Sequence, residues 1–353
     1  MTLDRRHFLQ SATAGWLSTG SILQAAFISP VEPRTSTEST AFFLISDTHV
    51  LAAEADRTQL DERSRTVCTR LIETLNRLPG TAIPEALGGG TVQQPRGVLH
   101  AGDCIDTGDK SNVQMQQTEW AGFEELFGLK GGDGLLQYPL YEVHGNHDSP
   151  RGDGHAVQQI IRRNRERPGV LQVSESGVHY SWDWGPVHLV NLGIVVGEVS
   201  QAARRRRYSP LGSLDFLIRD LRTHVGDSGR PIVLTHHIDL LRYSQALPVD
   251  DQKAMGMEWD PEDVRGYYDA IRNYNVAAIL YGHTHGRNVY RWDGSSKPAA
   301  TGLPVFNVDN SSHFGGQQQA FFYFEVTAER VRVLEYQTRD AWQSGSWTER
   351  PIA

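Results

Sequence analysis

An α/β fold is predicted by two features of this 353-residue sequence. Short apolar runs end in polar clusters, and the segments between them carry apolar residues at helical spacing. A third feature, a series of antiparallel-looking strands in the second half, predicts two packed sheets flanked by helices within one domain. Residues 42–45, 97–100, 140–143, 231–234 and 276–280 read as buried strands, being continuous apolar runs of strand length. Between them, 63–78, 113–127, 211–221 and 261–274 read as helices; Asp260 can cap the last, and Pro261 suits a first turn because its missing N–H would be unpaired there anyway. The second half adds strands at 178–182, 187–192, 288–292, 305–308, 321–326 and 331–336. Residues 80–95, with three successive glycines, and 248–258, with two methionines, read as surface loops, and no internal repeat is visible.

Composition narrows the function. Lys and Arg number 34 against 42 Asp and Glu, a net charge of −8, and 22% charged with 39% hydrophobic residues excludes a disordered or collagenous chain. An acidic balance without a basic stripe argues against a dedicated duplex nucleic-acid binder, so no stable nucleic-acid partner is expected. The arginine run at 204–207 reads as a solvated loop before a helix that starts near Pro210. Two cysteines supply neither a disulfide framework nor a cysteine zinc site.

Residues 1–30 resemble a twin-arginine export signal. Arg5, Arg6, Phe8 and Leu9 match that pattern, Asp4 and Gln10 depart from it, and the apolar stretch at 12–28 is too short and too broken by Gly, Ser and Thr to span a bilayer. The competing reading is an amphipathic N-terminal helix on a cytoplasmic protein. The resemblance implies the twin-arginine export machinery as a partner, loading of a metal before export, and a periplasmic or secreted protein. Residues 31–40 read as a linker and 41–353 as the folded domain, with no segment that predicts integral membrane association.

Five of the predicted strands end in a cluster of metal-type ligands: Asp47-Thr48-His49, Gly102-Asp103-Cys104-Ile105-Asp106, Gly145-Asn146-His147-Asp148, His236-His237 and Gly282-His283-Thr284-His285. Side chains at the carboxyl edge of a sheet can converge on one crevice. Carboxylate, amide oxygen and imidazole together suit hard or borderline divalent cations. Each cluster alone is common in turns, and an adjacent His pair more often packs or faces solvent than ligates. The ordered set of five is what points to a metal site.

In that order the chain resembles the calcineurin-like metallophosphoesterases, over about residues 41–336. The resemblance implies a four-layer α/β/β/α sandwich with two mixed sheets and a centre of two metal ions, with Mn, Fe or Zn all compatible with such donors. By position, Asp47, His49 and His285 are expected on the first ion and Asn146, His236 and His283 on the second, with Asp103 bridging them. Adjacent strand residues point to opposite faces, so one of His236 and His237 faces the metals; His236 is taken as the ligand, with His237 as the alternative, behind it. His147 is expected beside the metals, protonating the leaving-group oxygen, and Asp148 is expected to orient it. Asp106 stands where the purple acid phosphatases carry a metal-bound tyrosine, and Cys104 is expected to pack as a small apolar group. Arg151, His144, His237, Asn310 and His313 are the candidates for substrate contacts at the pocket rim.

Such a site answers the chemistry of phosphate esters, which repel anionic nucleophiles. Two close cations neutralise the phosphoryl oxygens and activate a water. The expected function is therefore an exported metal-dependent phosphoesterase acting on a small phosphorylated substrate, with a slight preference for monoesters. The alternatives are a phosphodiesterase acting on a cyclic nucleotide, a glycerophosphodiester or nucleic acid, and, more remotely, a non-catalytic metal-binding scaffold.

Overall fold

The first core strand, β1 (Thr40–Ile45), shows why an unbroken apolar run belongs in a strand covered on both faces. Its odd residues Ala41, Phe43 and Ile45 pack into a helix-covered cluster, while Phe42 and Leu44 enter a different cluster between two sheets. The structure is a computed structural model and describes residues 38–198, 206–242, 258–308, 310–313 and 318–350.

After β1 come α1 (Glu62–Arg77), β2 (Val98–His100), α2 (Val113–Phe127), β3 (Leu140–Glu142), α3 (Gly154–Glu166), β4 (Val170–Val173), β5 (Tyr180–Trp184) and β6 (Val187–Asn191). They are followed by α4 (Ser213–His224), β7 (Ile232–Thr235), α5 (Pro261–Ile271), β8 (Val276–Tyr281), β9 (Asn288–Trp292), β10 (Leu303–Asn307), β11 (Gln319–Val326), β12 (Val331–Thr338) and β13 (Ser346–Trp347). One sheet has the order β13-β12-β11-β1-β2-β3 and the other β4-β5-β6-β7-β8-β10-β9. Both are mixed: β1, β2 and β3 run parallel while β11 is antiparallel to β1, and β6, β7, β8 and β10 run parallel while β5 and β9 pair antiparallel.

Three apolar layers fill the spaces. Val67, Leu71, Phe123 and Ile160 from α1, α2 and α3 cover the outer face of the first sheet; Phe216, Leu217, Val264 and Tyr267 from α4 and α5 cover that of the second. Phe42, Leu44, Phe322 and Phe324 of one sheet meet Trp182, Leu189, Leu280 and Phe306 of the other. The architecture is a four-layer α/β/β/α sandwich.

The helix α3 was not predicted, because two of its buried positions are Arg163 and Asn164 and the apolar period is interrupted there. The polar burial is compensated. Arg163 Nε donates to Glu142 Oε1 at 2.7 Å, and Arg167 Nη2 lies 2.9 Å from the same oxygen. Burial alone would raise the Glu142 carboxyl, but the two guanidiniums outweigh it and hold it at about 2. The edge strand β4 and the two-residue β13 were also missed, being too short and too exposed to leave an alternation.

Two boundaries move for local reasons. The helix expected at 211–221 begins instead at Ser213, because Leu211 and Gly212 both take positive φ and turn the chain first. The helix expected at 261–274 ends at Ile271, with Asp260 capping its start by accepting from the N–H of Glu262 at 2.9 Å. The solvated reading of the arginine run is corrected at Arg206, which makes a two-point pair with Asp263 at 2.7 and 2.8 Å, whereas Arg207 is exposed, 5.2 Å over the Tyr208 ring. Arg204, Arg205, most of the 31–40 linker and most of the 248–258 insert lie outside the described residues, as does the whole of 1–30. The 80–95 loop is not wholly superficial, since Ile83 and Val92 are buried in the first-sheet core. Among the described residues no helix is long and apolar enough to cross a membrane.

Candidate metal centre

The five ligand clusters follow β1, β2, β3, β7 and β8, the strands that run parallel within each sheet, so all of them emerge at carboxyl ends. Backbone bonds continue past the strands and fix the loops together. Asp47 N–H donates to Gly102 O at 3.0 Å, His49 N–H to Asp103 O at 3.0 Å, and Gly282 N–H to His237 O at 3.0 Å. The His283 N–H crosses to both carboxylate oxygens of Asp47, at 3.0 and 3.1 Å, joining the two sheets at the site. Glycine is needed where loops touch: a Cβ on Gly145 would land on the Asp103 carboxylate, and one on Gly282 on the Ser46 hydroxyl.

Among the described residues eight non-glycine residues have positive φ, and five of them are Asp47, His49, Asp103, His283 and His285. An L-residue in that region is strained, and such strain persists where surrounding structure imposes it, most often at functional sites. Here each of the five sits at the point where a loop turns its side chain into the crevice.

Three histidines are anchored by the ring nitrogen that faces away from the centre. His237 Nδ1–H donates to Ala101 O at 2.7 Å, His49 Nδ1–H to Asp106 Oδ1 at 3.1 Å, and His283 Nε2–H to Glu258 Oε1 at 3.0 Å. Those anchors orient the rings and aim each opposite nitrogen inward, where the neutral form presents a lone pair. His237 Nε2 then lies 3.2 Å from Asp103 Oδ2 and 3.1 Å from Asn146 Oδ1, and His283 Nδ1 2.7 Å from the same amide oxygen. His49 Nε2 lies 3.1 Å from His285 Nε2 and 3.6 Å from Asp103 Oδ2, while His285 Nε2 is 3.4 Å from Asp47 Oδ1.

With these nitrogens deprotonated the set faces acceptor to acceptor, an arrangement that fits metal ions, while without metal a proton on His237 meets the same demand. The electrostatics agree. Burial alone would lower the His237 imidazole, yet Asp103 and Asp47 beside it push it up to about 9. The two buried carboxylates therefore draw positive charge into the centre.

This geometry corrects the expectation for His236. It is His237 that faces the crevice, while His236 is fully buried on the helix side of β7, its ring 5.3 Å from that of Trp259 and 5.6 Å from that of Tyr267. Burial there holds His236 neutral, with its pKa lowered to about 3.

The expected link from Asp148 to His147 is also corrected. The Asp148 carboxylate accepts from the N–H groups of Gly145, Cys104 and Ile105 at 2.8, 3.1 and 3.0 Å, so it ties the loops after β2 and β3 to one another. Burial, with the Asp103 charge adding to it, pushes Asp148 up to about 7. The His147 ring is held instead by Asp106, whose carbonyl accepts from Nδ1–H at 2.9 Å. The His147 N–H donates to Asp103 Oδ1 at 2.8 Å, and its side chain is 32% exposed, the route by which a substrate could reach Nε2.

The rim candidates separate. His313 comes to the centre, its ring 4.6 Å from that of His49 and 4.7 Å from that of His285. His144 does not: it is fully buried against Gly193, and burial lowers its pKa to about 3. Asn310 is buried as well, with its amide N–H donating to Gln318 O at 3.3 Å, and Arg151 is exposed in the turn before α3. Cys104 is buried, as expected of a packing thiol, and burial raises its pKa.

Glu258 was missed by sequence reasoning. It is 4% exposed, holds His283, and carries Arg242 at 2.8 Å and Arg207 at 3.6 Å. Its position at the end of a loop insert gives no periodic or spacing signal.

A family profile described as calcineurin-like phosphoesterase matches residues 40–287. The chain belongs to that family. It is accordingly a metal-dependent phosphoric ester hydrolase. Similar solved structures include one of PhoD (10% identity, TM-score 0.47), with 88% of this chain and 71% of that one covered. A purple acid phosphatase from yellow lupin, Lupinus luteus, is 12% identical with a TM-score of 0.48, covering 88% of this chain and 53% of the other. A putative 5'-nucleotidase from Staphylococcus aureus is 11% identical with a TM-score of 0.43, covering 89% and 54%. This chain thus spans about half the length of the latter two. No curated protein matches it significantly.

Proposed function

We propose that this chain is an exported phosphoesterase that hydrolyses small phosphate esters at a binuclear centre. The observation that carries the reading is the anchoring of His49, His237 and His283 by their outer nitrogens, which leaves three lone pairs converging with Asp47, Asp103 and Asn146. One ion would be held by Asp47, His49 and His285 and the other by Asn146, His237 and His283, with Asp103 shared. Bound there, two cations supply neutralisation of phosphoryl charge and an activated water. Mn, Fe and Zn all suit these donors.

The rest falls to the chain. His147, with Nδ1 tied to the Asp106 carbonyl, presents Nε2 as the proton donor to the departing oxygen. Glu258, Asp106 and Ala101 O hold the imidazoles in their working tautomers. Residues 41–353 form the catalytic domain, and the Arg5-Arg6 segment directs the chain to the periplasm or beyond. Monoesters are preferred slightly over diesters.

The direct test is hydrolysis of nitrophenyl phosphate and of bis(nitrophenyl) phosphate by the Mn²⁺-loaded chain. Chelator-sensitive turnover with the monoester faster is the expected result; turnover that survives chelation overturns the metal reading, and a faster diester overturns the preference. The histidine assignment has its own comparison. His237→Ala is expected to lower turnover by about 100-fold, the scale of losing support for a bound metal. His236→Leu, which fills a pocket lined by Trp259 and Tyr267, is expected to stay within about threefold of wild type, the change remaining in an apolar core. Equal losses in the two variants would return His236 to the centre.

A further inference from the structure

The donor sets above leave one imidazole at the centre unused. The rings of His49, His285 and His313 form a triangle with centroid separations of 4.6, 4.7 and 4.9 Å, and one nitrogen from each lies within 4.8 Å of the other two. His49 and His285 already belong to the first donor set with Asp47 and Asp103.

The backbone leading into His313 is fixed to the loop that carries Asp47 and His49. Ser311 N–H donates to Ser46 O at 2.9 Å, and Ser46 N–H returns a bond to Ser311 Oγ at 3.0 Å. Ser312 Oγ donates to Thr48 O at 3.3 Å, so each of the two residues flanking Asp47 is joined to one of the two preceding His313. Both serines are fully buried, Trp342 Nε1 holds Ser311 O at 2.7 Å, and Gln319 Nε2 holds the carbonyl of His313 itself at 3.1 Å. A side chain that only lined a pocket mouth would not need its approach built into the first donor loop. Buried bonds of this kind cannot be broken without leaving polar groups unpaired, so the placement is rigid.

We propose that His313 is a further protein ligand of the cation held by Asp47, His49 and His285. This rests on the binuclear reading above. The two positions then differ in chemistry: the first has three imidazoles and two carboxylates, the second two imidazoles, an amide oxygen and the shared carboxylate. Nitrogen-rich sites favour the later first-row metals, so the first position is the one selective for Zn²⁺ or Co²⁺ over Mn²⁺.

The test is calorimetric titration of metal-free full-length chain with Co²⁺ and, separately, Mn²⁺, comparing wild type with His313→Ala and His313→Gln. Expected is a weakening of at least about 10-fold at one of two sites in both variants, larger for Co²⁺ than for Mn²⁺, with the second site unchanged and the visible Co²⁺ absorption altered. Metal-free melting temperatures equal to wild type show that folding is intact; if His313→Ala misfolds, His313→Gln carries the comparison. Both affinities within about twofold of wild type, with a raised KM for nitrophenyl phosphate, would overturn the proposal and make His313 a substrate contact. The two readings fail separately. Two Co²⁺ per wild-type chain without turnover sinks the phosphoesterase function and leaves the ligand inference standing, whereas chelator-sensitive turnover with unaltered binding in His313→Ala does the reverse.

Discussion

Replacing Asp103 with Ala is expected to lower turnover by at least ~100-fold and to lower the stability of the metal-free fold as well. The two halves of that result have one cause. Asp103 is the carboxylate grouped both with Asp47, His49 and His285 and with His237 and His283, so its removal deprives both donor sets at once. It is also a buried anion at φ 55°, close enough to Asp148 to contribute to that carboxyl's raised pKa. Burial alone would raise the Asp103 carboxyl, but His237, 3.2 Å away, and His49 outweigh it and hold it well below the usual carboxylate range, so without metal its deletion leaves a buried imidazole stripped of its partner. The loss of the bond from the His147 N–H at 2.8 Å adds to that cost.

The measurement that separates these terms is a pair of melting curves, with and without saturating Mn²⁺. Wild type should gain stability from bound metal by mass action, about 4 kcal/mol at a thousandfold excess over Kd, and Asp103→Ala should lose most of that gain. A variant that melts early without metal and keeps its metal-induced shift would mean that Asp103 is structural. Near-normal turnover would remove it from the centre altogether.

What the sequence made legible is what is local along the chain. Asp47 and His49, Asn146 and His147, and His283 and His285 are each close in number and follow an apolar strand; Asp47, His49, His283 and His285 take positive φ, and glycines at 102, 145 and 282 let the loops meet closely. Their convergence followed from the strands being parallel, which the helical segments between them required. The choice between His236 and His237 was not legible for a physical reason. Ile232 and Leu234 pack under the helices and Val233 packs between the sheets, but all are apolar, so the run itself does not say which parity faces inward. His237 shares the parity of Val233, and with it the inner face.

Glu258 was illegible as part of the centre, and His313 legible only as a rim candidate, for a different reason. Each reaches it through tertiary approach alone: Glu258 from the start of the segment before α5, and His313 from the connection between β10 and β11. Asp148 misled because adjacency to His147 suggested a pair. Its carboxylate accepts three N–H groups in the turn instead, which is the ordinary use of an aspartate there.

His147→Ala is expected to cost ~10²–10⁴ in turnover, and more on an alkyl phosphate than on nitrophenyl phosphate. The argument rests on which atoms the substitution leaves in place. The bond from the residue 147 N–H to Asp103 Oδ1 belongs to the backbone and survives, so the donor loop keeps its shape. What is removed is a ring whose Nδ1 is committed to the Asp106 carbonyl at 2.9 Å, and whose Nε2 is the nitrogen left to exchange a proton with substrate. In the metal-free protein burial alone would lower its pKa, but Asp103 and the Asp106 carbonyl outweigh burial and raise it, favouring the protonated form a donor needs. A nitrophenolate departs readily without a proton, whereas an alkoxide does not, so loss of a proton donor must widen the gap between the two esters. Metal content should be unchanged, because the side chain lies outside the proposed donor sets. An equal loss on both esters with metal retained would mean that the ring stabilises phosphoryl charge rather than delivering a proton, and loss of metal would mean that it is a ligand.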